Sequence, residues 1–165
     1  LLGLPRIMST ASDYRQVLDA VPSASNGMTL CSGSFGARPD NDLPKIMAEF
    51  GPKVHFIHLR NVKRDTAAQV GSFYEAEHLG GDTDMVALVA VLMREEARRR
   101  KTGESFAEIP MRPDHGHEIL DDIGRASHPG YPFIGRLRGL AELRGVMTAL
   151  AGSISYSSAS HQLAK

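Results

Sequence analysis

Hydrophobic and polar residues along the chain repeat at two spacings, and these spacings predict its helices and strands. Apolar residues at three- and four-residue intervals, which are typical of one helix face, occur in four segments. The helices predicted from them lie around Tyr14–Val21, Asp42–Phe50, Asp82–Lys101 and Leu137–Leu150. We expect Ser9 or Thr10 to cap the first helix. Asp82 or Thr83 should cap the third, which is predicted to be the longest and to end in an exposed charged segment, Arg94–Lys101.

Short apolar runs rich in β-forming residues predict three strands between these helices. The runs are Met28–Cys31, Val54–Leu59 and Glu108–Met111. Successive strands are separated by helical crossovers, which require parallel pairing. The predicted fold is therefore a parallel α/β repeat. Three strands cannot close a barrel, so further units are expected before Leu1, and the opening Leu1–Pro5, which has no initiator methionine, also predicts an interior piece of a longer protein.

The remaining segments are predicted to be less regular. Arg6–Met8 reads as a short extended piece, Ser32–Asn41 as a loop rich in glycine and polar residues, and Glu118–Ile123 as a short helix. The polar stretch Arg60–Gly81 is long enough either to be functional or to contain a small hairpin. Residues 1–152 are taken as one domain of (β/α) units, and the serine-rich residues 153–165 as a flexible tail.

Composition narrows the classes of partner. The 165 residues carry 19 basic and 19 acidic side chains, a formal net charge of zero, so nothing favours nucleic acid or an anionic membrane, and a small molecule is expected. No apolar run approaches the roughly 20 residues that span a bilayer. The one cysteine, Cys31, excludes an internal disulfide and fits a reducing compartment such as the cytoplasm.

The most informative chemistry lies where the three predicted strands end. Cys31, His58 and Asp114 each follow a different strand, and the carboxyl ends of parallel strands share one rim, where such folds keep their sites. Each residue alone is more often structural. Together, a thiolate, an imidazole and a carboxylate suit manganese, iron, cobalt or zinc rather than the oxygen-preferring magnesium or calcium. The pattern therefore predicts a divalent-metal site.

Three further residues lie close to these strand ends in sequence. His115 follows Asp114 in the segment Arg112–His117, which reads as a strand end that turns into a loop. Arg60 follows His58 by two positions and would share its face, where a guanidinium could bind an anionic substrate. Tyr131 is either a lid phenol acting as an acid or an anchoring aromatic residue.

Several motifs resemble mannonate dehydratase. In chain order they are LCSGS at 30–34, GARPDNDL at 36–43, HFIHLRNV at 55–62, SFYEAEH at 72–78, MRPDHGH at 111–117, and PGY followed by IGR within 129–136. The resemblance runs from Leu1 to about Leu150. It implies a TIM-type (β/α)8 barrel of the xylose-isomerase-like kind, of which this chain would carry roughly the second half. It also implies a Mn²⁺- or Fe²⁺-dependent lyase of hexuronate catabolism that converts D-mannonate to 2-keto-3-deoxy-D-gluconate.

The resemblance also implies a role for individual residues. Cys31, His58 and Asp114 would be metal ligands, with a further histidine ligand expected from a motif before Leu1. His115 and Tyr131 would transfer protons beside Asp114, which is mainly a ligand but belongs to the same catalytic group. The residues expected to contact the substrate are Arg38, Arg60 and Asn61.

The expected chemistry explains why these residue types are needed. Removing the proton at C2, next to a carboxylate, requires stabilisation of negative charge, which a divalent ion provides. A base takes this proton and an acid protonates the departing C3 hydroxyl. Which of His115 and Tyr131 is the base stays open, as does whether Glu75, Glu77 and His78 approach the site or form a subunit contact. A homodimer is expected. The alternatives are a metal-dependent sugar isomerase or epimerase on the same barrel, and a non-catalytic fragment.

Overall fold

The computed structural model describes residues 7–67 and 71–162, which form three parallel strands with helices between them and a separate hairpin. The helices are α1 (Ala11–Ala20), α2 (Ser32–Gly36), α3 (Leu43–Phe50), α4 (Met85–Thr102) and α5 (Phe133–Gln162). The strands are β1 (Met28–Cys31), β2 (Val54–His58), β3 (Val62–Arg64), β4 (Phe73–Glu75) and β5 (Met111–Arg112). Short 3-10 turns lie at Gly51–Lys53 and Leu120–Asp122.

The main sheet has the order β1-β2-β5, and both of its pairings are parallel. Its register aligns the strand ends, because Cys31 pairs with His58 and His58 pairs with Arg112. Asp114 follows two residues after Arg112. The prediction of a parallel α/β arrangement is therefore confirmed, and the three candidate metal ligands leave the sheet at the same end.

The hydrophobic core lies around this sheet and helices α3 and α4. Leu30, Val54 and Ile57 of the sheet are buried together with Met47 of α3 and Leu88 of α4. Burial of such apolar side chains is the main favourable term in folding. No helix in the described ranges is both long enough and apolar enough to cross a membrane.

The helix caps explain where α1 and α4 begin. Thr10 caps α1, since its side chain accepts from the backbone N–H of Asp13 at 3.2 Å and Asp13 Oδ2 accepts from the N–H of Thr10 at 2.9 Å. This reciprocal arrangement confirms one of the two predicted caps. The predicted cap of α4 is wrong: Asp84 accepts from Ala87 N–H at 2.9 Å, while Asp82 accepts from the N–H of Arg64 in the hairpin.

Four segments differ from their predictions, since local sequence preference does not fix where short elements begin and end. Ser32–Gly36, predicted as a loop, is the short helix α2, which contacts β2 and is buried at Ser32, Gly33, Phe35 and Gly36. The third strand is Met111–Arg112 rather than Glu108–Met111, and the helix predicted at Glu118–Ile123 is only a 3-10 turn. Ile7 and Met8 form a bend, not an extended piece; Arg6 lies outside the described residues.

Helix α5, not α4, is the longest in the described part of the chain, with 30 residues against 18. The backbone of residues 153–162 continues α5, although the sequence predicts a tail there, because serine is a weak helix former rather than a helix breaker. The flexibility of this segment stays a prediction, and residues 163–165 lie outside the described ranges.

The charged end of α4 is not wholly solvated as predicted. Glu95 and Arg99 are buried, one helical turn apart on the face that also carries Leu92. Arg99 donates to the carbonyls of Gly51 and Val54 at 2.7 and 2.8 Å. Backbone carbonyls that are removed from water need a donor, and here a guanidinium supplies it.

The stretch Arg60–Gly81 contains the small hairpin that the sequence allows. Strands β3 and β4 pair antiparallel, with Val62 opposite Glu75 and Arg64 opposite Phe73. Glu75 therefore lies at the base of the hairpin, beside the end of β2. This register determines which polar residue of the hairpin reaches the site.

Candidate metal centre and active site

The donor atoms of Cys31, His58 and Asp114 all lie within 4.8 Å of one another. His58 Nδ1 is 3.6 Å from Asp114 Oδ2, and Ser34 Oγ donates to Cys31 Sγ at 3.2 Å. Asp114 is only 3% exposed. The predicted convergence of these three side chains at one end of the sheet is therefore confirmed.

Asp114 is held in a conformation that is unusual for a residue other than glycine. Its φ of +67° lies in the left-handed region, which costs roughly 1–3 kcal/mol unless the surroundings hold it. Arg136 Nε donates to its carbonyl at 2.9 Å. Its buried Oδ1 lies 2.8 Å from Arg112 Nη2, an ion pair by distance whose angles do not make a hydrogen bond. That oxygen keeps lone pairs available for a cation.

The environment of His58 favours the neutral imidazole that a metal ligand requires. Burial lowers the pKa of His58 most; Asp114 opposes this effect, while the charge of Arg112 adds to it. Ser32 Oγ lies within hydrogen-bonding distance of the carbonyls of His58 and Arg60, which fixes the backbone at the end of β2. A thiol, a neutral imidazole and a buried carboxylate fit a borderline divalent cation.

His115 and Tyr131 lie next to each other beside this cluster. His115 Nε2 is 3.0 Å from Tyr131 Oη, and the two ring centroids are 4.7 Å apart. Nε2 is also 3.7 Å from Asp114 Oδ2. Tyr131 is 36% exposed and so borders the open side of the site. The arrangement provides a donor–acceptor pair through which a proton can move.

Close backbone contacts hold the two loops of this pair together. The N–H of Gly116 donates to the carbonyl of Gly130 at 3.1 Å. A side chain at Gly135, in the first turn of α5, would collide with the carbonyl of His117. Asp122 accepts from the N–H groups of residues 134 and 135, at 3.1 and 2.8 Å, and so fixes the start of α5 against the loop.

Glu75 is the residue of the site that sequence reasoning left undecided. Its Oε1 lies 2.9 Å from His115 Nδ1, its Oε2 accepts from Arg60 Nε at 2.9 Å, and Arg60 Nη2 also pairs with Oε1. Burial alone would raise the pKa of Glu75, but hydrogen bonds and charges from Arg60 and His115 outweigh it and lower that pKa. The missing signal is the register of the hairpin, which single-sequence patterns do not encode.

The neighbours of Glu75 in sequence do not join the cluster. Glu77 pairs with Arg138 at 2.9 Å on an exposed face. His78 is buried, with Nε2 2.8 Å from the carbonyl of Pro113. It therefore supports the backbone behind Asp114 from outside the cluster.

Of the three residues predicted to contact substrate, the structure brings only Arg60 to the cluster. Asn61 is 1% exposed; its amide donates to the carbonyls of His78 and Thr83, and its oxygen accepts from the N–H groups of Val62 and Thr83. These four bonds use all the hydrogen-bonding capacity of the Asn61 side chain, so the structure assigns it to the backbone, and its contact with substrate stays a prediction.

Arg38 lies in a surface ion pair, and its contact with substrate stays a prediction. Its guanidinium forms an exposed bidentate ion pair with Asp40, at 3.0 and 2.6 Å, on the loop that follows α2. These contacts hold the side chain at the surface and do not link it to the candidate metal ligands. Because Asp40 follows Arg38 by only two residues, the two side chains can pair locally, and the sequence pattern alone does not distinguish this pairing from ligand binding.

The fold and the site together are a parallel α/β arrangement with a candidate divalent-metal centre beside the hydrogen-bonded pair His115 and Tyr131. The model of the D-mannonate dehydratase (UxuA) family matches residues 1–156. The chain belongs to this family.

Individual relatives agree with the family match. The chain is 61% identical over 151 residues to mannonate dehydratase 1 of Agrobacterium fabrum (strain C58), covering 92% of this chain and 38% of that protein. The chain is 59% identical over 151 residues to the mannonate dehydratase of Rhizobium meliloti (strain 1021), and the match covers 92% of this chain and 38% of that protein. The chain thus spans about two fifths of the length of these relatives.

A solved structure gives the same result for the fold. The crystal structure of mannonate dehydratase from Streptococcus suis serotype 2 matches with a TM-score of 0.77 and 29% sequence identity. The match covers 94% of this chain and 41% of that one.

Proposed function

We propose that this chain carries part of the active site of a divalent-metal-dependent mannonate dehydratase, which removes water from D-mannonate to give 2-keto-3-deoxy-D-gluconate. One observation carries the proposal: in a chain of this family, three metal-capable side chains converge within 4.8 Å beside the His115–Tyr131 pair. We further propose that the parallel sheet is part of a (β/α)8 barrel of the xylose-isomerase-like kind. The parallel pairing and the aligned strand ends support this arrangement.

Cys31, His58 and Asp114 are the residues that would hold the ion, and Mn²⁺ or Fe²⁺ suits this donor set. When bound, such an ion acts as a Lewis acid that stabilises the negative charge left beside the substrate carboxylate after C2 loses its proton. The left-handed backbone of Asp114 and the free lone pairs of its buried Oδ1 support a ligand role.

His115 and Tyr131 are proposed to move the two protons of the reaction. One of them takes the proton from C2 and the other protonates the C3 hydroxyl as it leaves. Their 3.0 Å contact supports a shared role, because a proton accepted by one can be returned through the other. The partial exposure of Tyr131 supports contact with substrate at the open side of the site.

Arg60 is proposed to orient the anionic substrate. Its Nε and Nη2 are engaged by Glu75, so the remaining nitrogen, Nη1, is the part of the guanidinium proposed to meet the carboxylate. A planar guanidinium clamped on one side is already ordered, which reduces the entropy lost on binding.

The test is incubation of the protein that contains this chain with D-mannonate and Mn²⁺, followed by identification of the product. A 2-keto-3-deoxy acid supports the proposal, whereas a ketose or an epimer would support an isomerase instead. Cys31→Ala, His58→Ala and Asp114→Asn should each reduce bound metal and turnover. Unchanged metal content and turnover in all three would favour a non-catalytic fragment.

A homodimer and a cytoplasmic location remain proposals. The free thiol of Cys31 supports a reducing compartment. Exposed apolar side chains at Leu120, Ile123 and Phe133 support a contact with another part of the assembled protein. Sedimentation of the purified protein tests the dimer.

A further inference from the structure

The β3–β4 hairpin places one carboxylate beside the Nδ1 edge of the His115 ring. Glu75, the last residue of β4, has Oε1 2.9 Å from His115 Nδ1, on the opposite edge of the ring from Tyr131 Oη. The backbone carbonyl of Glu75 lies 2.9 Å from His117 Nε2, so the same residue contacts the loop twice. His115 is thus held between the hairpin on one edge and Tyr131 on the other.

The chemistry of a carboxylate determines which nitrogen of His115 carries a proton. An ionised carboxylate only accepts hydrogen bonds, so the Nδ1 that faces Glu75 must carry its hydrogen. In the neutral ring, Nε2 is then the acceptor, and it faces Tyr131 Oη at 3.0 Å and Asp114 Oδ2 at 3.7 Å. An Nε2–H tautomer would instead place two lone pairs, those of Nδ1 and Oε1, against each other.

We infer that Glu75 is a positioning residue of this active site: it fixes the Nδ1–H form of His115 and thereby makes Nε2 the proton-accepting atom toward Tyr131 and the substrate. In neutral His115, Tyr131 is then the hydrogen-bond donor of the pair. Applied to turnover, this inference rests on the proposed dehydratase function. Applied to the state of the imidazole, it does not.

Arg60 keeps Glu75 ionised and in place. Two nitrogens of its guanidinium bond the two carboxylate oxygens, and both side chains are mostly buried, at 14% and 26% exposure. A bidentate pair fixes the plane of the carboxylate as well as its position. The direction of the Glu75 oxygen, and with it the tilt of the His115 ring, is therefore set from β2 through Arg60.

The direct test is nitrogen-15 NMR of the histidine side chains, in the metal-free protein and with Zn²⁺, which is diamagnetic. In the unsubstituted protein His115 should show a protonated Nδ1 and an unprotonated Nε2. In Glu75→Gln, one amide oxygen must serve Arg60 and His115 together, so the Nδ1–H population should fall; in Glu75→Ala it should fall further. Glu77→Gln, on the same hairpin but paired with Arg138, should leave the signal unchanged. A protonated Nε2 in the unsubstituted protein, as the Nε2–H tautomer or as the imidazolium, overturns the inference, and so does the absence of change in both Glu75 variants.

A kinetic arm separates this inference from the proposed function. With D-mannonate, Glu75→Gln should lower kcat by about 10- to 100-fold, as loss of a partner that orients an active-site histidine does, while bound metal stays unchanged. If the unsubstituted protein turns over D-mannonate but the His115 tautomer is the same in the Glu75 variants, only the positioning role is contradicted. A tautomer that changes as expected in a protein that does not dehydrate D-mannonate supports the positioning role and sinks the proposed function. If Glu75→Ala does not fold, the isosteric Glu75→Gln decides by itself.

Discussion

Arg99 Nε lies 2.9 Å from Glu95 Oε1, and both side chains are buried one turn apart on α4. The same guanidinium reaches the carbonyls of Gly51 and Val54, at the amino end of β2. This pair therefore links a helix to the strand that carries His58 at its other end.

Replacing Arg99 by methionine should destabilise the protein by about 3–5 kcal/mol, because it leaves Glu95 with one buried partner fewer and removes the donor of three backbone carbonyls. Chemical denaturation measures the loss. Arg100→Met, at the neighbouring exposed position, is the matched control and should change the free energy of unfolding by less than about 0.5 kcal/mol. Equal effects of the two substitutions would contradict the buried role of Arg99.

The same pair predicts how stability depends on pH. Hydrogen bonds from Arg98 lower the pKa of Glu95 most, burial opposes the shift, and Arg99 adds to it. The unfolded state therefore binds a proton more readily than the folded state, and the stabilisation is full above about pH 4.3, the ordinary glutamate value. It is lost as the pH falls further.

Glu95→Gln lacks this charge at every pH. The difference in free energy of unfolding between the unsubstituted protein and Glu95→Gln should be large near pH 7 and should shrink below about pH 4.3. Urea denaturation at a series of pH values measures it. A difference that stays constant down to pH 3 would show that the charge of Glu95 contributes nothing.

Asp114→Asn should weaken Mn²⁺ binding at least about tenfold while leaving the fold intact, since asparagine tolerates a left-handed φ but cannot supply an anionic oxygen. Titration calorimetry measures the affinity, and circular dichroism checks the fold. Asp121→Asn, an exposed carboxylate on the nearby 3-10 turn, should not alter binding. Loss of affinity in both variants would point to a general charge effect instead of a ligand.

Gly33→Ala should disturb Arg60 in particular. A Cβ at Gly33 would lie 2.5 Å from Cγ and Cδ of Arg60, so the guanidinium must move. We expect KM for D-mannonate to rise more than kcat falls, because the proposed contact with the carboxylate is lost first. Gly145→Ala in α5, where nothing lies within 4 Å, should leave KM unchanged and stabilise the protein by roughly 0.5–1 kcal/mol. A larger effect on kcat than on KM would contradict the substrate role of Arg60.

The convergence of the three candidate metal ligands could be predicted from the sequence because their positions follow from simple rules. Crossover helices force the strands to be parallel, and parallel strands end at one rim. Cys31 and His58 each occupy the last position of a strand, and Asp114 lies two residues after the end of β5. No detailed knowledge of side-chain packing is needed for that argument.

The other features of the site and the core could not be predicted, because they depend on contacts between segments that are far apart in the sequence. Glu75 enters the site through the register of a hairpin whose strands are only three residues long. Arg60 and Asn61 are adjacent and both polar, yet one points into the site while the other closes backbone bonds behind it. The burial of Arg99 depends on carbonyls 45 and 48 residues away. Local spacing describes none of these relationships.

The register that aligns Cys31, His58 and Arg112 also determines which changes of length the chain can accept. The helical connections between the strands do not include these paired positions. Insertions at the surface turns of these connections should therefore be tolerated as long as the pairing register of each strand is kept. Deleting a single residue inside β2 would turn His58 to the opposite face of the sheet and separate it from Cys31. Natural variation in length should therefore concentrate in the helical connections and be nearly absent from these few paired positions.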